Sequence, residues 1–156
     1  MNWEAIGAIG EIVGAAAVFI SLVYLAGQIR NQNRESRVSA MHDISVGFRD
    51  AILPMATEDM ASIFVKANED YDSLTDVEAQ RIIIIMGQFF RTWEEAFIQH
   101  QEGRLDERSW NAIMKYYIKI LGAPAVKRAW DLRKEYLDNE FVASVAATPL
   151  EAYTAR

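Results

Sequence analysis

Few residues in this chain could carry chemistry. Glu11 is the only ionisable side chain between Ala5 and Gly27, inside the run "GAIGEIVGAAAVFISLVYLAG". A carboxylate among apolar neighbours can take up a proton, reach for water, or hydrogen-bond to an adjoining helix. Glu94, Glu95 and His100 are the residue types of carboxylate-bridged metal sites, which require Glu-x-x-His pairs on facing helices. Glu95 and His100 lack that spacing and fall on different helix faces. His42, the other histidine, has no acidic residue three or four places on. No metal or cofactor is therefore expected. Arg128, Arg133 and Lys134 gather near Trp130, either to hold an anion or to form a solvated face. The chain has no cysteine, which removes disulfides, thiolate metal sites and cysteine nucleophiles. It also lacks a glycine-rich phosphate loop, a Ser/His/Asp set and a dinucleotide fingerprint. The expectation is that this is not an enzyme.

The elements that would position these residues follow from composition. A chain of 156 residues is enough for one domain. Hydrophobic residues make up 51%, and the excess lies near the N-terminus. Net charge is -6, with no lysine or arginine before Arg30. Nucleic acid is an unexpected partner, because phosphate binding needs clustered positive charge.

From Ala5 to Gly27 a helix would run roughly 35 Å, enough to cross a hydrocarbon core of about 30 Å with some tilt. A secretory signal should open with a positive segment, and here the only early side-chain charge is Glu4. "YLAG" has the small residues of a cleavage site, but the segment is expected to be retained. Glycines and alanines this dense supply little area to a soluble core. Residues 1–27 are thus expected to form a transmembrane helix and 28–156 a cytoplasmic helical domain. Arg30, Arg34 and Arg37 follow the span, and basic flanks stay cytoplasmic, so the N-terminus is expected outside. Trp3 and Tyr24 sit near the two ends, where amphipathic rings favour the interface.

At about 100° per residue, Gly7, Gly10, Gly14, Ala17 and Ser21 share one helix face, with Glu11 on its edge. The opposite face carries Ile9, Ile12, Phe19, Ile20 and Val23. The bulky side suits lipid. The small side admits another backbone, and Gly10 to Gly14 is a small-xxx-small pair. Glu11 lies about 9 Å inside the start of the span, where a neighbouring helix could satisfy it. The same position would suit an ion or proton path.

Beyond Gly27 nothing breaks the helix until Pro54, so the first helix is expected to continue to about residue 53, starting near Asn2. Val38, Met41, Ile44, Phe48 and Ile52 recur at helical spacing, and Gly27 and Gly47 are possible bends. A short helix is expected over 57–68. "TDVE", Thr75 to Glu78, is a capping box opening a long helix to about Glu102, closed by Gly103. Asp106 caps the next, which ends at Gly122. Pro124 starts another, carrying Val126, Trp130 and Leu137. "DNEF" begins a last short helix, stopped near Pro149. The aromatic series from Phe89 through Trp93, Tyr117, Trp130 and Tyr136 to Phe141 either lines a cofactor cavity or forms the core, and helical spacing favours core. The fold class is all-α: one membrane-spanning helix continuing into a small cytoplasmic helical bundle.

The opening run, with Trp3, Ile6 to Glu11, Ser21 to Ala26 and Gln28 to Arg30, resembles that of a group of small, uncharacterised bacterial membrane-anchored proteins. Their pattern reads W-x-x-I-G-x-I-G-E, then S-L-x-Y-L-A-x-Q-I-R. "RTWEEAF", "GRLDERSW" and "APAVKRAW" look like helix segments of the same group. The resemblance implies a single-pass protein of the bacterial cytoplasmic membrane. It implies no function beyond that; the small-residue face is what points to an interaction or scaffold protein. Its partners would be the bilayer and either further copies of itself or another membrane protein. The alternative is an oligomeric channel or proton-transport component using Glu11.

Overall fold

The computed structural model describes residues 3–150 and 152–153, and every regular element among them is helical. The helices are α1 (Trp3–Ile52), α2 (Glu58–Glu69), α3 (Asp76–Gln101), α4 (Glu107–Leu121), α5 (Pro124–Arg133) and α6 (Asn139–Ala147). Short 3-10 turns follow α1, α2 and α5. Asn2, the expected start of the first helix, lies outside the described residues. The chain divides into two compact units, one ending at Ser39 and one beginning at Ala40.

Local chemistry explains the boundaries. Pro54 cannot donate to the helical ladder, and the turn Leu53–Ala56 replaces it after Ile52. Thr75 and Glu78 form the reciprocal cap of α3: the Glu78 N–H donates to Thr75 Oγ1 at 3.3 Å, and the Thr75 N–H donates to Glu78 Oε2 at 2.8 Å. Gly103 takes φ +70°, the left-handed conformation that ends α3 where a side chain would be strained. Asp106 accepts from the Ser109 N–H at 3.0 Å and Asp138 from Phe141 at 3.0 Å, capping α4 and α6. Pro124 opens α5 where a missing N–H costs nothing. α5 is shorter than its sequence pattern suggests. It stops at Arg133, and a 3-10 turn at Lys134–Tyr136 leaves Leu137 in extended backbone.

Within the second unit, α3 is the central element. Phe90 and Trp93 are fully buried on it. Trp93 stacks on Tyr117 of α4 at 4.9 Å, lies tilted against Trp130 at 5.8 Å and meets Phe141 edge to face at 5.2 Å. Burial among these rings pushes the Tyr117 phenol up from its ordinary range. The aromatic series therefore packs ring on ring as core. Tyr136 is the exception, at 66% exposed, because the 3-10 turn points it outward.

The last part of α1 belongs to this unit, and of its expected stripe Ile44 is buried and Phe48 and Ile52 are half-buried. Ala40, Ile44 and Ala51 are buried, whereas Val38 is exposed and Met41 largely so. α1 also stays helical through both Gly27 and Gly47. A Cβ added at Gly47 would lie 3.3 Å from Thr92 Cγ2 and Oγ1. At Gly47 the approach of Thr92 from α3 leaves little room for a side chain, while the adjacent Phe48 packs its ring on Phe89 of α3 at 6.1 Å.

Two ion pairs tie α2 to α3. Lys66 Nζ lies 2.8 Å from Glu78 Oε2, and Arg81 Nη2 lies 2.6 Å from Asp59 Oδ2. The Lys66 ammonium, helped by the Thr75 backbone and hydroxyl, lowers the Glu78 carboxyl from 4.5 to about 2. A carboxyl with a lowered folded-state pKa stabilises the fold fully above its ordinary value and loses that contribution as pH falls through the folded value. Acid titration followed by circular dichroism should therefore show helix loss between pH 4.5 and 2 that is less steep in Glu78→Gln. Gly47→Leu should lower stability to denaturant by roughly 1–3 kcal/mol through overpacking, with partial rescue by Thr92→Ala.

Candidate functional site on the exposed helix face

The first unit presents the candidate site. Its apolar stretch has a mean hydropathy of 2.1 over 18 residues, and none of that stretch is buried. Ile12, Phe19 and Ile20 are each more than 60% exposed. Gly7, Gly10, Gly14, Ala17 and Ser21 lie along one face of the same helix and are also exposed. A Cβ built at Gly7, Gly10 or Gly14 meets no other atom within 4 Å. Among the described residues, no side chain is close enough to require glycine at these positions.

The polar groups on this helix differ in how they are satisfied. The Ser21 hydroxyl donates to the Ala17 carbonyl at 2.9 Å, so it needs no partner from outside. Tyr24 OH accepts from Gln28 Nε2 at 2.8 Å. Trp3 and Tyr24 are exposed at 72% and 68%, with their rings free to sit at an interface. Glu11 is exposed and makes no hydrogen bond or ion pair with the described residues. Arg30, Arg34 and Arg37 are exposed and likewise unpaired among them.

The second unit resolves the other candidates. Among the described residues no group of three or more His, Asp and Glu side chains could hold a metal. Glu94 is buried, but it serves the fold. Its Oε2 accepts from Arg91 Nη1 at 2.7 Å, and its Oε1 accepts from the Asp138 N–H at 2.5 Å. Arg91 Nη2 also donates to the Tyr136 carbonyl at 2.8 Å. These bonds fasten the start of α6 to the middle of α3. Glu95 is exposed, and His100 stacks flat on Trp110 at 5.2 Å with Nδ1 3.3 Å from the Leu105 carbonyl. His42 is exposed. Of the basic group near Trp130, Lys134 pairs with Asp131 at 2.7 Å, Arg128 is exposed, and Arg133 is half-buried. Met41, Ile44 and Phe48 of α1 and Ala112, Ile113 and Tyr116 of α4 line an open groove of about 340 Å³ that carries almost no polar surface.

Sequence reasoning missed the part played by Glu94. The i,i+3 spacing of Arg91 and Glu94 was a visible sign of an ion pair, but the bond to Asp138 joins residues 44 positions apart. Glu94→Ala leaves the Asp138 N–H and the Arg91 guanidinium without their acceptor and should cost roughly 2–3 kcal/mol. Glu94→Gln, which keeps one acceptor, should cost about half as much. Amide exchange at Asp138 to Phe141 should accelerate in the alanine variant ahead of exchange in α3.

No family model, curated protein or solved structure matches this chain.

Proposed function

We propose that α1 crosses a lipid bilayer and that the chain is a membrane-anchored helical interaction protein. It would assemble with itself or serve as an accessory subunit of a membrane complex. The observation that carries this reading is the bare apolar stretch of α1. Among the described residues, none of the most hydrophobic stretch is buried. An uncovered apolar surface of this extent is untenable in water and marks contact with lipid or protein. A buried core helix would hide such a surface, and a secretory signal would carry early basic residues that this sequence lacks.

In this reading the N-terminus lies outside and the second unit in the cytoplasm, since Arg30, Arg34 and Arg37 follow the span. The membrane is the bacterial cytoplasmic one, the setting implied by the resemblance of the opening run. The small face of α1 supports assembly. Its glycines are not needed for the fold of a single chain, while close approach of a second helix would need them. Glu11, without a partner among the described residues, would find a hydrogen-bond partner on that second helix. The same observation favours a second reading, in which several copies arrange Glu11 along a proton or ion path.

Since no cysteine occurs, topology can be tested with Glu4→Cys and Glu140→Cys, each carrying one thiol. In intact spheroplasts an impermeant maleimide should label the first and spare the second until the membrane is opened. The reverse pattern would overturn the orientation, and release of the protein by carbonate washing would overturn the span. Gly10→Leu and Gly14→Leu should reduce the oligomer mass, or strip co-purifying chains, in native mass spectrometry from mild detergent. Because neither variant clashes within the chain, an unchanged assembly would count against the small-face contact. Glu11→Gln should abolish proton flux in reconstituted vesicles if the transport reading holds. A wild type without flux removes that reading and leaves the interaction role standing.

A further inference from the structure

Arg133, singled out above with its basic neighbours, borders a cleft of about 230 Å³ shared with Gly87, Gln88 and Arg91 of α3 and with Tyr136. All of these residues belong to the second unit, so nothing here depends on α1 crossing a membrane. The charges along the cleft are unequally satisfied. Arg91 is held in place by Glu94 and the Tyr136 carbonyl, which occupy two of the five N–H donors of its guanidinium. Arg133 is half-buried and makes no ion pair or hydrogen bond with the described residues. Lys66, Arg81 and Lys134 are also half-buried, and each has a carboxylate oxygen within 2.6–2.8 Å. The chain has 22 acidic residues against 16 basic ones, so Arg133 does not lack a partner for want of carboxylates. A partly desolvated cation without a counter-charge is unfavourable, and an arriving anion would offset that cost. Gly87 adds to this arrangement. A Cβ there meets nothing within 4 Å, so glycine leaves that side of the cleft open.

We propose that this cleft binds a small soluble oxyanion, a phosphate or carboxylate group on a small molecule. The Arg133 guanidinium would take two oxygens in a bidentate pair. The remaining donors of Arg91 and the Gln88 amide are available from α3. Phe90 and Leu137 border the cleft as its apolar residues. The cleft is smaller than the roughly 300 Å³ at which drug-sized pockets begin, which restricts the ligand to a compact anion.

The test uses the full chain in an uncharged detergent, titrated calorimetrically with inorganic phosphate and separately with benzoate at constant ionic strength. At least one should bind saturably with one site per chain. Arg133→Gln and Gly87→Leu should each weaken that binding by about tenfold or more, the first by removing the charge-assisted pair and the second by filling the cleft. Arg128→Gln, an exposed cation on the same helix, should leave it unchanged. Circular dichroism on each variant separates loss of the site from loss of the fold. Heats equal to those of sodium chloride, equal affinity in wild type and both cleft variants, or an equal loss in Arg128→Gln would each overturn the proposal. Binding seen only in micelles doped with phosphatidic acid would do the same, since it would place the anion on a lipid.

Discussion

The packing of one indole governs the second unit. Trp93 is fully buried, and its ring touches aromatic side chains from α4, α5 and α6. Burying a side chain of this size contributes several kilocalories per mole only where the surrounding elements close without voids. The neighbouring features serve that closure. Gly47 lets α1 approach α3 beside Thr92. Glu94 holds Asp138, so that Phe141, three residues on, reaches the ring. Lys66 and Glu78 hold α2 alongside.

The two units answer to different surroundings. The second hides its large rings and pairs most of its half-buried charges. The first hides nothing, and its bulky side chains are as exposed as its glycines. Hydrophobic burial explains the second unit from within the chain. For the first, the same force must be met by something other than the chain, and the proposed membrane and helix contacts would supply it.

Much of this was legible from residue types and spacing. The Thr75–Glu78 capping box, the Asp106 cap, Pro124 and Gly103 each act within one turn of the backbone, and the helix boundaries fall at them. The aromatic core was also readable, because recurrence every three or four residues marks a face. What eluded the pattern depended on distant partners. Periodicity gave Ile44 to the buried stripe of α1 correctly, but it also gave Val38 and Met41, which are exposed, and passed over the small Ala40 and Ala51, which are buried. Leu137 was read as helix because nothing local marks the turn at Lys134–Tyr136. Glu94 was weighed as a metal ligand and set aside, and its backbone acceptor role stayed hidden because it involves a residue 44 positions later. For the candidate face, the sequence shows which residues share a side of α1, and the structure adds that no described residue packs against its glycines.

The bond between Glu94 and Asp138 has a consequence for biosynthesis. The core around Trp93 cannot close until α6 has emerged, because Phe141 and the backbone of Asp138 complete it from near the end of the chain. The oily stretch of α1 leaves the ribosome first. It must find its cover while the later part is still nascent and unfolded, since folding proceeds along the chain as it is made. Whatever receives α1 therefore meets a hydrophobic tether before the globular portion exists.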